Sequence, residues 1–234
     1  MTDGPVIYKL NELLKDAGMF VRGSFQPGPA DGAPPLADGG IAATIILIGN
    51  AGGYMWQAFE PQADRTLRHP LDSWLRPEID RVAAEIGATP VFPNDGPPFV
   101  SMQDWAARAE PVHRSPIGIM IHPEFGLWHV YRAALLFGEA VDLVPRANAP
   151  SPCDSCTNKP CLSVCPADAF LPDRFDAQAC VSHVDSAAGT TCRERGCLAR
   201  RACPVGREYL YGKDQQAFHT AALVSAVKRG YGVK

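Results

Sequence analysis

The chain has 234 residues, enough for one medium-sized domain or for a core domain with a small appendage. It is 46% hydrophobic and 20% charged, and its formal net charge of −3 gives no electrostatic reason to expect nucleic acid or an anionic membrane as a partner. No stretch has the roughly 18 apolar residues of a membrane-spanning helix, and the N-terminus lacks the features of a signal peptide. We therefore expect a cytoplasmic protein, whose cysteines serve metal or redox chemistry rather than disulfides.

The N-terminal part of the chain predicts a helix, a loop and a strand. Apolar residues from Ile7 to Leu14 recur at helical spacing, and Gly18 is placed to end that helix. Residues 26–40 are rich in Pro, Gly and Asp, which indicates a loop. Residues 41–48 form a short apolar run with β-branched side chains between glycines, which favours a buried strand over a helix.

The next part predicts a second helix and a short strand. Apolar residues between Leu71 and Ile86 fit one helix face. Pro77 lies within this pattern, and because proline is best tolerated in the first helical turn, we expect the helix to begin close to it. Residues 90–92 are predicted as a short strand. Residues 95–105 are predicted as a structural loop, with a role in lining a pocket as the alternative.

Two apolar runs between Gly118 and Phe137 flank the turn-forming sequence Pro123–Gly126, which predicts a strand, a turn and a strand. Near the C-terminus, apolar residues recur at helical spacing from Phe218 onward and stop before Gly230. This pattern predicts a final amphipathic helix.

The eight cysteines divide the chain into two predicted domains. Residues 1–147 contain no cysteine and are predicted to form an α/β body, whereas residues 148–234 hold every cysteine. Between the two lies Val144–Pro152, whose prolines cannot continue a helix or a central strand, so we interpret it as a linker. The cysteines are Cys153, Cys156, Cys161, Cys165, Cys180, Cys192, Cys197 and Cys203.

The cysteine spacing is typical of iron–sulfur ligation. A [4Fe–4S] cube needs four thiolates, and in bacterial ferredoxins the fourth cysteine, which precedes a proline, ligates the other cluster. Both Cys165 and Cys203 precede a proline, although four residues separate Cys156 from Cys161 where ferredoxins have two. Crossed ligation as in ferredoxins assigns one cube to Cys153, Cys156, Cys161 and Cys203. It assigns the other to Cys165, Cys180, Cys192 and Cys197, whose gaps are irregular.

Structural zinc is the main alternative, because Cys-x-x-Cys also occurs in four-cysteine zinc sites. Such sites usually pair two of these short knuckles, whereas this segment has one, at Cys153–Cys156, beside its two Cys-Pro sequences. We therefore predict two [4Fe–4S] clusters. Arginines around the second set either tune the cluster and dock an acidic electron donor or, as charge runs more often do, form a solvated surface. They are Arg193, Arg195, Arg200, Arg201 and Arg207.

The body has no sequence motif that defines a reaction. Gly49–Gly53 follows the predicted strand, but Ala51 stands where a dinucleotide-binding fingerprint needs its second glycine. There is also no nucleophile elbow and no His-Glu-x-x-His metal helix.

One string in the body resembles a known family. Ile121–Trp128 reads Ile-His-Pro-x-Phe-Gly-x-Trp, and it is similar to the strand–turn–strand of CblC-type cobalamin-processing chaperones. Ile45–Phe59 and His69–Trp74 are similar to the first strand, the following helix and a helix entry of that family. The resemblance covers about residues 7–145 and implies a cobalamin-binding body.

The same resemblance implies that His122, Gly126 and Trp128 lie beside the corrin. The alternative is structural, because a histidine at a strand end is often a hydrogen-bonded turn residue and the aromatic side chains of the string could belong to the core. The sequence leaves both interpretations open.

The cysteine segment resembles a different protein, the ferredoxin part of epoxyqueuosine reductase. The resemblance runs from Cys153 through Cys165-Pro-Ala-Asp-Ala to Cys180. Together the two resemblances imply an α+β fold, with a nitroreductase-like (flavin-reductase-like) α/β body and a C-terminal two-cluster ferredoxin-like module.

The leading functional hypothesis is a redox protein whose clusters relay electrons to a cofactor in the body, which the resemblance implies is cobalamin. Cobalamin processing and a cobalamin-dependent reduction both fit, and the sequence does not decide whether the chain is an enzyme. One alternative is a non-catalytic electron carrier or cobalamin-binding chaperone. Another is a body that holds a flavin or no cofactor. The expected partners are a small-molecule cofactor or substrate and an electron-donor protein, without nucleic acid or membrane.

Overall fold

Helices and strands alternate through the first part of the chain, and short helices dominate the remainder. The computed structural model describes residues 4–141, 143 and 146–230. In chain order, the helices are α1 Pro5–Leu14, α2 Tyr54–Phe59, α3 Pro70–Ile86, α4 Met102–Ala109, α5 Pro160–Ser163, α6 Ala177–Asp185, α7 Thr190–Arg195, α8 Leu198–Arg201 and α9 Lys213–Gly230. The strands are β1 Phe20–Phe25, β2 Thr44–Ala51, β3 Thr89–Val91, β4 His113–Arg114, β5 Met120–Ile121 and β6 His129–Phe137.

The main sheet is antiparallel, with the strand order β1-β2-β6-β3. Residues 45–48 of β2 and 133–136 of β6 are fully buried and form the centre of the core. The predicted buried strand is confirmed as β2. It begins at Thr44 rather than at Ile41, which is exposed. The short strand predicted at residues 90–92 is confirmed as β3.

The first predicted helix is confirmed as α1, whose buried face carries Ile7, Leu10 and Leu14. A short 3-10 turn continues it as far as Gly18, which has a φ of +64°. A Cβ at this position would lie 2.4 Å from the Met55 backbone nitrogen. Both the positive φ and this close approach therefore require glycine where the sequence predicted the helix to end.

The prediction that the second helix begins near Pro77 is wrong. Helix α3 begins at Pro70 and contains Pro77 in its interior. Proline removes the hydrogen bond to the carbonyl of Ser73, but both residues are exposed, so water can satisfy that carbonyl. The buried face of α3 outweighs the remaining cost. It consists of Leu71, Leu75, Ile79, Val82 and Ala83.

The structural loop predicted at residues 95–105 is correct only in part, because α4 begins at Met102. Ser101 caps α4 by accepting a hydrogen bond from the Asp104 backbone N–H. Trp105 is 1% exposed, and its indole N–H donates to the Asp31 carbonyl at 2.8 Å. That contact also fixes the predicted loop of residues 26–40 against α4. The predicted C-terminal helix exists as α9, but the residues that it buries are Gln215 and Gln216, whereas the apolar residues from Phe218 onward are partly or fully exposed.

Two features of the sheet differ from expectation. Strand β1 was not predicted, because Arg22 and Gly23 interrupt its apolar pattern. The strand–turn–strand between residues 118 and 137 is not a hairpin of β5 and β6. His122 and Gly126 pair across the turn, but β5 pairs with β4, whereas β6 pairs with β2 and β3. Residues of β6 find buried partners along the whole of β2, and this long-range pairing overrides the local turn signal.

The chain forms two compact units. The first comprises residues 1–112 and 129–149, and the second comprises residues 113–128 and 150–234. Residues 113–128, which the sequence analysis counted with the body, thus group with the cysteine segment. Division into domains at residues 147 and 148 stays a prediction, and Val144 and Pro145 of the predicted linker lie outside the described residues.

The second unit has its own small core, to which both of its chain segments contribute. Ile117, Ile121 and Leu127 from the first segment pack with Ala199 and Cys203 from the second. The chain is thus a mixed α/β protein, while the nitroreductase-like and ferredoxin-like descriptions stay predictions. Among the described residues, the helices are too short or too polar to cross a membrane.

Candidate metal centre

All eight cysteines are free thiols in the second unit. Short elements present them: Cys161 lies in α5, Cys180 in α6 and Cys192 in α7, while Cys197 caps α8. The remaining four lie in the loops that flank α5 and in the segment that follows α8. They are Cys153, Cys156, Cys165 and Cys203.

The first group of thiols lines one small cavity of about 20 Å³. Burial raises the pKa of the Cys161 thiol, and the neighbouring Cys203, Cys153 and Cys156 raise it further. Burial likewise raises the pKa of Cys203, with Cys156 acting in the same direction. The cavity therefore brings the C-terminal Cys203 to the loop of the first motif. Its cysteines are Cys153, Cys156, Cys161 and Cys203.

The second group lines a separate cavity of about 410 Å³. Burial raises the pKa of Cys180 to about 11, and the charges of Cys197, Cys165 and Cys192 act in the same direction. The two groups are those that crossed ligation assigns to two cubes, although the role of each cysteine as a ligand stays a prediction. This cavity's cysteines are Cys165, Cys180, Cys192 and Cys197.

Backbone N–H groups point at several of the sulfur atoms. The Ala169 N–H donates to Cys165 Sγ at 3.5 Å. Burial raises the pKa of Cys197, and hydrogen bonds from the Arg200 and Ala199 backbone oppose that rise. Such N–H donors stabilise negative charge on sulfur and tune the potential of a bound iron–sulfur cluster.

The donor set fits [4Fe–4S] clusters. Each cavity offers four thiols, and a cube of four irons gives each thiolate its own iron, so the ligands need not meet at one point. Structural zinc instead gathers four ligands around a single ion. Within residues 4–141, 143 and 146–230, no group of three or more Cys, His, Asp or Glu side chains is placed to hold one metal ion. Metal analysis decides between the two.

The arginines of the second unit have different roles. The Arg193 guanidinium donates to the Ser186 carbonyl at 3.3 Å and to the Thr190 hydroxyl at 3.0 Å, which is a structural role. Arg207 acts on the first group, where its positive charge opposes the burial that raises the pKa of Cys203. The expectation of a merely solvated surface therefore does not describe all of them.

Arg200 lies between two aromatic rings. Its guanidinium is 4.5 Å from the ring centroid of Trp128 and 4.7 Å from that of Tyr211, and its Nε donates to the Leu127 carbonyl at 3.0 Å. Trp128 and Tyr211 are each 1% exposed. This cation–π arrangement joins residues 127–128 to α8, which carries Arg200 between Cys197 and Cys203.

The residues of the CblC-like string have packing roles within this unit. His122 Nδ1 accepts hydrogen bonds from the backbone N–H groups of Glu124 and Phe125, and its ring stacks on Phe125 at 4.4 Å. Gly126 lies against the backbone of Val205. Trp128 packs on Arg200 and also lines the larger cavity. The contact of His122, Gly126 and Trp128 with a corrin stays a prediction.

Gly126 offers a matched test of this packing. It has a φ of +55°, and an added Cβ would lie 2.0 Å from the Val205 carbonyl oxygen. Gly118 has a similar φ of +78° but nothing within 4 Å of an added Cβ. We expect Gly126→Ala to lower the melting temperature and the cluster content, because the segment that follows Cys203 must move. Gly118→Ala should lose only the roughly 1 kcal/mol of a left-handed alanine. Equal losses in thermal melts and iron assays of the two variants would contradict this account.

A second set of polar side chains is buried in the first unit. Arg22 Nη2 and Glu110 Oε1 form an ion pair at 2.8 Å, with side chains that are 0% and 7% exposed. The Tyr131 hydroxyl donates to the same carboxylate, and Arg22 lies 3.2 Å from His129 Nδ1. Sequence reasoning missed this network because its members are far apart in the chain. A charged residue inside the apolar stretch of β1 was the one available signal.

Two β-bulges meet beside this network. The pairing of β1 with β2 shifts between Val21 and Gly23, and the pairing of β2 with β6 shifts between Ile48 and Gly49. A Cβ on Gly49 would lie 2.3 Å from the Val130 carbonyl oxygen. The close approach of strands that the bulges create therefore requires glycine at this position.

The buried carboxylate predicts a pH dependence. Burial raises the pKa of Glu110 above its ordinary value of 4.5, although the Arg22 guanidinium opposes the rise. A carboxyl group whose pKa is higher in the folded than in the unfolded chain stabilises the folded state most when the pH lies below its unfolded pKa. This contribution is lost as the pH rises through its folded pKa. We expect the stability of the wild type relative to Glu110→Gln to fall as the pH rises from the ordinary value of 4.5 through the raised pKa of Glu110. A rise in that difference, measured by amide hydrogen exchange of β2, would overturn the prediction.

No model of a protein family matches the sequence. No curated protein matches it significantly. Solved structures of epoxyqueuosine reductase are similar to it. The first, a selenomethionine-labelled form, has a TM-score of 0.47 and 19% identity, over 75% of this chain and 52% of that one.

Two further structures of the same enzyme show comparable similarity. The protein from Bacillus subtilis has a TM-score of 0.49 and 17% identity, over 88% of this chain and 68% of that one. The protein from Streptococcus thermophilus has a TM-score of 0.47 and 14% identity, over 86% of this chain and 66% of that one. The present chain thus spans between about half and two thirds of these proteins. The resemblance of the body to CblC-type proteins has no support among these findings and stays a prediction.

Proposed function

We propose that this chain is an iron–sulfur redox protein that binds two [4Fe–4S] clusters and passes electrons through them to an acceptor. The observation that carries the proposal is the sorting of the eight thiols into two cavities of four. Each cavity combines cysteines from distant parts of the segment, in the crossed pattern that ferredoxins use. Cys165 lines the larger cavity, although the preceding cysteine, Cys161, lines the smaller one. Cys203 lines the smaller cavity, although the preceding cysteine, Cys197, lines the larger one. Both Cys165 and Cys203 are followed by proline.

The clusters, when bound, supply one-electron chemistry at low potential. The chain's own residues hold and shield them. Backbone N–H groups from α8 donate to Cys197, and the apolar core of Ile117, Ile121 and Leu127 packs against Cys153 and Cys161 of the first group. The positive charge of Arg207 acts on Cys203 and so favours the reduced, more negative state of the first cluster.

The proposal predicts reversible uptake of electrons. Anaerobic titration with dithionite should reduce the chain with about two electrons, one for each cluster, and bleach its visible absorption. A fast-reacting one-electron acceptor should reoxidise it and restore the spectrum. A chain that takes up no electrons, or that loses iron in the first cycle, would rule out a redox role. Substrate-accelerated oxidation would mark an enzyme, whereas a need for a partner protein would mark a carrier.

Cobalamin is the acceptor that the sequence resemblance implies, but the residues that carry the resemblance are engaged in contacts within the chain. His122 is buried and its Nδ1 is occupied by two backbone donors, while Gly126 is covered by Val205. We therefore derive no step through cobalamin. Adding cob(II)alamin to the cluster-loaded chain tests the point, because a base-off shift or its reduction would restore that hypothesis, and an unchanged spectrum would end it.

A further inference from the structure

The two groups of thiols have different charged surroundings. In the first group, burial raises the pKa of Cys153 and of Cys203, while the positive charges of Lys159 and Arg207, respectively, oppose the rise. In the second group, burial raises the pKa of Cys180, and the neighbouring thiols raise it further. Both Lys159 and Arg207 are exposed. Exposed cations therefore lie next to the site of the first cluster.

Lys159 stands at the edge of the smaller cavity. It is one of the residues that line this cavity, and its backbone carbonyl accepts a hydrogen bond from the Leu162 N–H at 2.9 Å. Its φ of +35° lies in the left-handed region, which asparagine and glycine adopt more readily than lysine does. Among the described residues, its ammonium group forms no ion pair and no hydrogen bond. A lysine kept on this backbone indicates a role for its charge.

Arg207 and two apolar side chains extend the exposed surface around Lys159. The Arg207 guanidinium donates to the Arg201 carbonyl at 3.5 Å and, within the part of the chain that the structure describes, has no carboxylate partner. Leu162 and Val164, on the loop of the first motif, are 41% and 40% exposed. Protein interfaces combine exposed apolar and charged side chains in this way. We call these residues the entry patch: Lys159, Leu162, Val164 and Arg207.

We propose that the entry patch docks a small electron-carrier protein with an acidic surface, so that electrons enter the chain at the first cluster. The formal net charge of the chain is −3, so an acidic carrier is steered to it by a local positive patch rather than by the overall charge. In each encounter the carrier is oxidised by one electron and the first cluster is reduced by one. This inference rests on the proposed function, because it takes the first cube as seated, and it names the partner that supplies the electrons.

An acidic [2Fe–2S] ferredoxin of the plant type is a suitable carrier for the test. The oxidised, cluster-loaded chain is mixed anaerobically with the reduced ferredoxin, and absorption follows the electron transfer. We expect the second-order rate constant to fall about tenfold between about 0.01 M and about 0.2 M ionic strength, because salt screens the attraction. Lys159→Asn and Arg207→Gln should each slow the reaction about threefold at low salt.

The salt dependence separates docking from an effect on the cluster. Each of the two charges also favours the reduced cluster, so a slower reaction alone does not report docking. The double variant Lys159→Asn with Arg207→Gln should lose most of the salt dependence. Arg195→Gln, at an exposed arginine between two cysteines of the second group, is the matched control and should keep both the rate and its salt dependence.

Chemical cross-linking reports docking without any electron transfer. A carbodiimide joins a lysine amine to a carboxylate in contact with it, so mass spectrometry should find Lys159 linked to an acidic peptide of the ferredoxin. Lys159→Arg should lose this cross-link but keep the rate and the salt dependence, because arginine keeps the charge and does not react.

The outcomes are compared at equal contents of iron and sulfide, which Lys159→Asn should retain because asparagine suits the left-handed backbone. A rate that does not depend on salt, a double variant that behaves as the wild type, or slowing by Arg195→Gln alone would overturn the inference. So would cross-links confined to other lysines, or no reaction of a fully loaded chain with the ferredoxin. A chain without iron and sulfide would instead refute the proposed function.

Discussion

Replacing Cys203 by serine should remove the cluster of the first motif, although 37 residues lie between Cys203 and Cys165, the last cysteine of that motif. The iron content should fall by about half, from about eight to about four atoms per chain, because one cube of two loses a ligand. Cys161→Ser should have the same effect and abolish the same electron paramagnetic resonance signal. The physical reason is that both thiols line the same small cavity.

Double variants test the grouping of the cysteines whatever the amount of iron that a single substitution removes, because only the iron contents of the variants are compared. Cys161→Ser combined with Cys203→Ser should lose no more iron than either alone, since both affect one cluster. Cys161→Ser combined with Cys165→Ser should lose nearly all iron, although the two cysteines are neighbours in sequence. Leu162→Ser, at an exposed position between them, is the matched control and should keep both clusters. The opposite order of iron contents would refute crossed ligation.

Glu110→Ala should destabilise the first unit by about 3–5 kcal/mol, because it leaves the buried Arg22 guanidinium without its carboxylate. It also deprives the Tyr131 hydroxyl of its acceptor. Amide hydrogen exchange of β2 measures the loss, since those amides lie at the centre of the sheet. Glu85→Ala is the control: Glu85 pairs with Lys9 and Arg81 at the surface, and its removal should cost less than about 1 kcal/mol.

The same network predicts that two changes cost less than one. Arg22→Met combined with Glu110→Leu replaces both charges by apolar groups of similar size, and buried pairs replaced in this way often lose little stability. We expect the double variant to be more stable than Glu110→Ala. A double variant that is less stable than Glu110→Ala would contradict this expectation. It would show that the network stabilises the sheet through more than the pairing of the Arg22 charge with Glu110.

The grouping of the cysteines could be anticipated from sequence because the information is local. Short spacings and the proline after Cys165 and Cys203 restrict how the segment can fold around a cube. The string from Ile121 to Trp128 shows the limit of this approach. Its pattern is conspicuous, but the pattern does not say what it packs against, and in the structure it contacts Val205, Arg200 and Tyr211.

Other features depend on contacts between distant residues and left little trace in the sequence. The partners of Arg22 come from β6 and from the end of α4, and only folding of the sheet brings them together. Pro77 misled the prediction of α3 because local propensity could not weigh the buried face of that helix. Gln216, which lines the larger cavity, lies in a helix that the sequence identified only as amphipathic.

The central claim is that eight cysteines hold two [4Fe–4S] clusters, and the most direct measurement is the content of iron, acid-labile sulfide and zinc in chain purified without oxygen. The account predicts about eight irons and about eight sulfides per chain, with no stoichiometric zinc. Zinc at one or two ions per chain without sulfide would contradict it and would assign the two groups of thiols to structural zinc.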